Sequence, residues 1–326
     1  MRGFAPATGL ARERSTLGYL HMPFRRPSLN RALLSLVFTS AIALSALAAP
    51  TAGPDAQPQS AAPMQEDGRA QDAVARIGDA ATLFKRNDLD GADRALTALT
   101  RDYPGFAEAH YLHGVVAARR GDAGAAAGKL RKSVELAPNM IQGWLALASV
   151  EHQRAGHKGM LAVLRDGLKA NPGHPDLRVE FAAIDHEDGR DAKAAETLRA
   201  IVAEHPDHVK SLVLLATVLA DMPGSIDEAR GLIDRARTAA PNSPAVRVGE
   251  GWVLLRQGKA ADAIAALEQA RAVLPQHGPL HFYLASAYAS LGRKDEARSS
   301  VATSLKLGLH GRELTSAKNL QKRLGG

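Results

Sequence analysis

The chain has no cysteine anywhere in its 326 residues, so disulfides, thiolate metal sites and cysteine nucleophiles are all excluded. That absence fits an oxidising compartment without requiring one. Aromatic residues are scarce at 4%, and no stretch alternates β-branched with polar residues as a half-buried strand would. His-Glu-x-x-His, Gly-x-Ser-x-Gly and phosphate-loop patterns are all missing. A clustered excess of one charge sign is lacking too. The net charge is +7, but residues 1–48 alone hold six arginines against Glu13. Taking these from 41 basic and 34 acidic residues leaves 35 against 33. A phosphate-binding footprint needs a local surplus of Lys and Arg, so nucleic acid is not an expected partner.

What is present is abundant alanine, which favours helices, and a proline clock. Pro104, Pro138, Pro172, Pro206, Pro241 and Pro275 are separated by 34, 34, 34, 35 and 34 residues. A fixed period of this size marks a stacked repeat array, which grows by adding units rather than by enlarging one core. Counted from the third residue after each proline, units start at 107, 141, 175, 209, 244 and 278, and the same spacing starts a first unit at Ala73.

Small residues recur at the eighth place of each unit: Ala80, Gly114, Ala148, Ala182, Ala216, Gly251 and Ala285. They recur at the twentieth as Ala92, Ala126, Ala194, Ala263 and Ala297, with Met160 and a one-shifted Ala229 completing the set. The twenty-fourth place is large and apolar: Leu96, Leu130, Leu164, Leu198, Ile233, Leu267 and Val301. Small side chains let two helices approach, and large ones fill between units. Gly121, Gly189, Gly258 and Gly292, with Asn87 in the first unit, mark the turn between paired helices. The extra residue of the fifth unit falls in its loop, Asp221-Met222-Pro223-Gly224-Ser225.

Ahead of the array, Arg25, Arg26 and Arg31 precede a 17-residue apolar run from Ala32 to Ala48 that ends Ala46-Leu47-Ala48. A positive start, an apolar middle and small residues at minus three and minus one make a secretory signal peptide over 1–48. Met22 is an alternative start that would give a signal of ordinary length. The Arg25-Arg26 pair is a feature of twin-arginine signals, but Pro27-Ser28 departs from their continuation, and the general secretory route is expected. The chain is therefore expected to be periplasmic or secreted. Anchoring in the inner membrane by residues 32–48 is the alternative, and the membrane is a partner only if the leader stays uncleaved. Residues 49–70, rich in Pro, Ala and Gln, form an expected disordered tether. The array then covers 71–308, and residues 309–326, with Leu314, Ala317, Leu320 and Leu324 on one stripe, form an expected C-terminal capping helix.

The array resembles the tetratricopeptide repeat family. The likeness is carried by Leu147, Gly114, Tyr288, Ala126 with Leu130, Ala270 and the six prolines, in phase over about seven units. Trp144 alone keeps the family's tryptophan; the other units have Arg76, His110, Arg178, Leu212, Arg247 and His281 at that place. The resemblance implies an all-α, right-handed solenoid of about seven helix-turn-helix repeats with a C-terminal capping helix. It also implies that the first helix of each unit lines a concave groove. On that basis the expected partner-binding residues are Tyr111, Leu145, Val179, Val213, Val248, Trp252, Arg256 and Phe282. The thirteenth place, Lys85, Arg119, Gln153, Glu187, Asp221, Arg256 and Ser290, makes the groove basic, then acidic, then basic. The fifth-place lysine and ninth-place asparagine of the chaperone-binding members are missing, which disfavours a terminal carboxylate as ligand.

No catalytic, cofactor-binding or metal residue is assigned, and the expected role is a non-enzymatic exported scaffold or adaptor for a protein or peptide partner. Secreted arrays of this kind imply exopolysaccharide export or cell-envelope assembly. Two alternatives stay open: a module for c-type cytochrome maturation, or a periplasmic ligand- or metal-binding module centred on His152 and His186, which hold equivalent places one unit apart.

Overall fold

The structure is a computed structural model, and residues 63–325 of it are described here. The leader and most of the tether lie outside the described residues. Seven helix pairs follow one another. They are α1 (Pro63–Lys85) with α2 (Leu89–Asp102), α3 (Ala107–Arg120) with α4 (Ala123–Leu136), and α5 (Ile141–Ala170), which is a pair in itself. Then come α6 (Pro175–Glu187) with α7 (Asp191–Glu204), α8 (Val209–Asp221) with α9 (Ile226–Ala239), α10 (Pro244–Arg256) with α11 (Ala260–Val273), and α12 (Gly278–Ser290) with α13 (Lys294–Leu307). One further helix, α14 (Gly311–Arg323), follows the seventh pair. Among the described residues there is no strand. Because α1 begins at Pro63, residues 63–70, given to the tether on composition, are helical.

Local chemistry sets the boundaries. Asp88 and Asp122 cap α2 and α4, accepting from Gly91 N–H at 2.8 Å and Ala125 N–H at 2.9 Å. Pro175 and Pro244 open α6 and α10, where a missing N–H costs nothing. Gly121 ends α3 with φ +88°, and Asn87 takes the same left-handed turn at φ +62°, the one non-glycine to do so among the described residues. In the third unit the break is softer: α5 runs on through Gly156, whose φ +64° and ψ −159° are not helical. The loop between α8 and α9 holds the inserted residue, as its length implied.

The eighth and twenty-fourth places meet as their sizes demand. A Cβ on Gly114 would lie 2.5 Å from Leu130 Cγ, and one on Gly251 would lie 2.4 Å from Leu267 Cγ. The twentieth-place alanines and the twenty-fourth-place leucines are fully buried. Buried apolar side chains form clusters that pass from unit to unit, the last of them joining Val248, Phe282 and Leu284 to Ala317 and Leu320 of α14.

The terminal helix does more than cover the last unit. Its C-terminal half caps α12 and α13 through Ala317 and Leu320, and Arg298 Nε donates to the Leu324 carbonyl at 2.8 Å. Its N-terminal turn reaches back to α6, where Gly311 packs against the Glu187 carbonyl. Thirteen residues make a helix about 20 Å long. The three steps from α12 to α6, at 8–10 Å each, would already exceed that along a flat row. The inner helices are therefore strongly curved, and α14 spans the hollow.

Candidate partner-binding groove

The inner row begins deep. Of the eight residues expected to line the groove, Tyr111, Val179, Val248 and Phe282 are buried in packing between helices, Leu145, Val213 and Trp252 are half-buried, and Arg256 is exposed. Burial pushes the Tyr111 phenol up to about 12. The fifth place (Tyr111, Leu145, Val179, Val213, Val248 and Phe282) is thus largely core, while Trp252, Arg256 and Phe282, on α10 and α12, border an open groove.

There Trp252 stacks on Tyr283 with ring centroids 4.4 Å apart and leans toward Phe282 at 6.2 Å. The Arg256 guanidinium lies 5.7 Å from the indole, while its Nε donates to the Ala220 carbonyl at 3.3 Å and faces Asp221. A groove of about 580 Å³ opens between these residues and α14, with Leu255, Ser286 and Leu320 on its walls. A second cavity of about 230 Å³ continues from Trp252 under the first turn of α14.

That first turn sits in a polar seat. Arg312 Nη1 donates to Asp191 Oδ2 at 2.6 Å, and Nη2 contacts Asp221 and lies 3.2 Å from His186 Nε2. His186 Nδ1 faces Asp191 Oδ1 at 2.7 Å. Burial lowers the His186 pKa, the neighbouring Arg312 lowers it further, and Asp191 opposes both. Beside Arg312, Glu313 Oε1 accepts from the Tyr283 hydroxyl at 2.7 Å. Burial raises the Glu313 carboxyl above its usual range, Tyr283 opposes the shift, and Glu187 adds to it. The acidic middle of the thirteenth place, Glu187 and Asp221, is therefore where α14 enters. Arg312, Tyr283 and Asp191 were not foreseen as site residues; the acidic pair Glu187 and Asp221 at the thirteenth place was the one signal that pointed to this end of the groove.

His152 and His186 do not face one another. His152 lies against His157 and His310 with tilted rings, centroids 5.0 and 5.5 Å away, while His186 serves the Arg312 seat. Among the described residues no group of three or more His, Asp or Glu side chains is placed to hold a metal ion, and no helix is long and apolar enough to cross a membrane.

A family model described as Tetratricopeptide repeat matches residues 77–141 and 248–307, and a second of the same description matches 187–248. The chain belongs to the tetratricopeptide repeat family. This tetratricopeptide repeat chain is 34% identical over 114 residues to a TPR repeat-containing protein of Pseudomonas aeruginosa, a match covering 35% of the chain and 19% of that protein. It is 29% identical over 178 residues to Cellulose synthase operon protein C of Pseudomonas fluorescens, covering 52% of the chain and 14% of the relative. The match thus spans about a fifth and a seventh of the length of those relatives. A tetratricopeptide repeat protein from Parabacteroides merdae superimposes with a TM-score of 0.55 at 17% identity, over 78% of this chain and 100% of its own. At that identity the likeness is one of fold.

Proposed function

We propose that the chain is an exported, non-enzymatic scaffold or adaptor that holds a protein partner on its concave face, in exopolysaccharide export or cell-envelope assembly. The observation that carries the reading is the Trp252–Arg256–Phe282 wall. It couples an aromatic surface and a guanidinium to an open groove of about 580 Å³, and stacking alone does not require such a combination there. The leader supports export, and the similarity to Cellulose synthase operon protein C supports a setting in polysaccharide export. The test is site-specific photocrosslinking in cells from Leu255 and Ser286, on the groove, and from Arg271, on the outer helix α11. Adducts with one envelope or export protein from the two groove sites, and none from Arg271, are expected, together with reduced exported polysaccharide when the chain is deleted. Adducts from Arg271 alone, or none with unchanged polysaccharide, would sink the reading.

A further inference from the structure

The groove already has an occupant, and it fits poorly. α14 is held at its first turn by Arg312 between Asp191 and Asp221, and farther along by Ala317 and Leu320 against the last unit. Between these anchors it underfills the space: Ser316 borders both the 580 Å³ groove and the 230 Å³ cavity. The indole Nε1–H of Trp252 is buried without an acceptor among the described residues. Glu313 carries its carboxyl into the cavity that Asp221 also lines, with Glu187 close by, so an acid is set among acids. The connection to α13 is a short segment with positive φ at both ends, Gly308 at +91° and Gly311 at +50°. A receptor with a well-formed seat for a guanidinium and a loose fit elsewhere is suited to exchange.

We propose that α14 is a displaceable occupant of the groove. The partner that replaces it is an amphipathic helix with an arginine in its first turn and the spacing Arg-x4-Ala-x2-Leu. That helix carries a large apolar side chain where α14 has Ser316, and an uncharged hydrogen-bond acceptor where α14 has Glu313. The proposal rests on the reading of the concave face as the partner site. Arg312 defines the register, because its two carboxylate partners come from different units and fix the helix end in position. An apolar side chain at the Ser316 position fills the cavity floor beside Trp252, and a neutral acceptor keeps the Tyr283 hydrogen bond without the buried charge.

The probes are fluorescein-labelled peptides spanning residues 309–326, titrated into the full chain and into its Gly311→Ala and Arg312→Glu variants. A Cβ on Gly311 would lie 2.5 Å from the Glu187 carbonyl oxygen, so that variant unlatches α14 by contact, whereas Arg312→Glu does so by charge. The native peptide is expected to bind both variants at least tenfold more tightly than the wild-type chain. The peptide carrying Ser316→Phe and Glu313→Gln should bind at least tenfold more tightly again, and the peptide carrying Arg312→Ala should lose at least tenfold. Equal affinity for wild type and variants, or no binding to variants whose circular dichroism shows an intact array, overturns the proposal. So does a concentration-dependent dimer of the variants, which would mean that α14 is exchanged between copies. Hydrogen exchange on the wild-type chain needs no variant: α14 amides should exchange at least tenfold faster than those of α12 and α13, and exchange in step with them makes α14 a fixed cap. A fixed cap with groove crosslinks still formed removes only this inference. Peptide exchange without any cellular crosslink removes the reading of the function instead.

Discussion

One position shows how much a residue can say once its neighbours are known. His110, Trp144 and His281 stand at the fourth place of their units, and each donates a ring N–H to the carbonyl of the proline six residues earlier, at 3.0, 2.8 and 3.0 Å. A carbonyl only accepts, so both histidines carry the hydrogen on Nε2. The tryptophan missing from most units is thus replaced in two of them by another ring donor, and the turn it closes is kept. His277 adds a separate dependence on pH. Its Nδ1 accepts from Leu280 N–H at 3.1 Å, capping α12, and burial, aided by His281, lowers its pKa from 6.5 to about 4. Between those values the unfolded chain binds a proton that the folded chain refuses. The stability from this group is therefore whole above pH 6.5 and is lost as the pH falls toward 4, by about 3 kcal/mol at most. Urea melts of wild type and His277→Asn at pH 7.5 and 4.5 check this: the asparagine keeps a cap and should flatten the difference, and an unchanged slope refutes the assignment. Gly251→Ala places a methyl group against Leu267 and should cost about 1–3 kcal/mol; Leu267→Val in the same chain should recover part of it, which a melt of the double variant reads directly. The small eighth place and the large twenty-fourth were each legible in sequence from their fixed period, but their meeting inside one unit was not, because the large residues read there as filling between units.

At the scale of the element, α14 divides into what periodicity reveals and what it cannot. Its stripe of Leu314, Ala317, Leu320 and Leu324 was readable, and Ala317 and Leu320 are buried as such a stripe requires. The meeting of Arg312 with Asp191, 121 residues away, was not. It depends on the accumulated rotation of four units, which no local pattern encodes. Likewise Tyr111, Val179, Val248 and Phe282 were expected in the groove by resemblance, yet an apolar side chain is equally the mark of core, and all four are core. Glu313 carries the element's own pH dependence. Its folded pKa is raised, so its contribution to docking is whole below the unfolded value and fades as the pH rises through the folded one. Glu313→Gln should hold α14 more firmly at pH 7, on the order of 1 kcal/mol, seen as slower exchange of α14 amides. Faster exchange would show that the carboxylate helps to hold the helix.

For the whole molecule, a linear array couples each unit mainly to its neighbours, and damage at one end frays that end. Here α14 joins units four and seven, so the C-terminal units form a closed body and the N-terminal three remain an open arm. Leu130→Ala, which empties a fully buried site in unit two, should cost about 2–5 kcal/mol. Amide protection should fall over α1–α4 while α6–α13 keep theirs. A uniform loss along the chain would mean that the seven units unfold as one.

The arc of inner helices with α14 across it is, mechanically, a bow with its string. A bare solenoid stretches like a spring, because small rotations between units add up. With the string in place the C-terminal arc resists both opening and closing, and compliance is confined to the arm ahead of it. Exchanging the string for a partner's helix would reset the curvature of that arc, so that occupancy of the groove would be read out as a change in the distance between the two ends of the array.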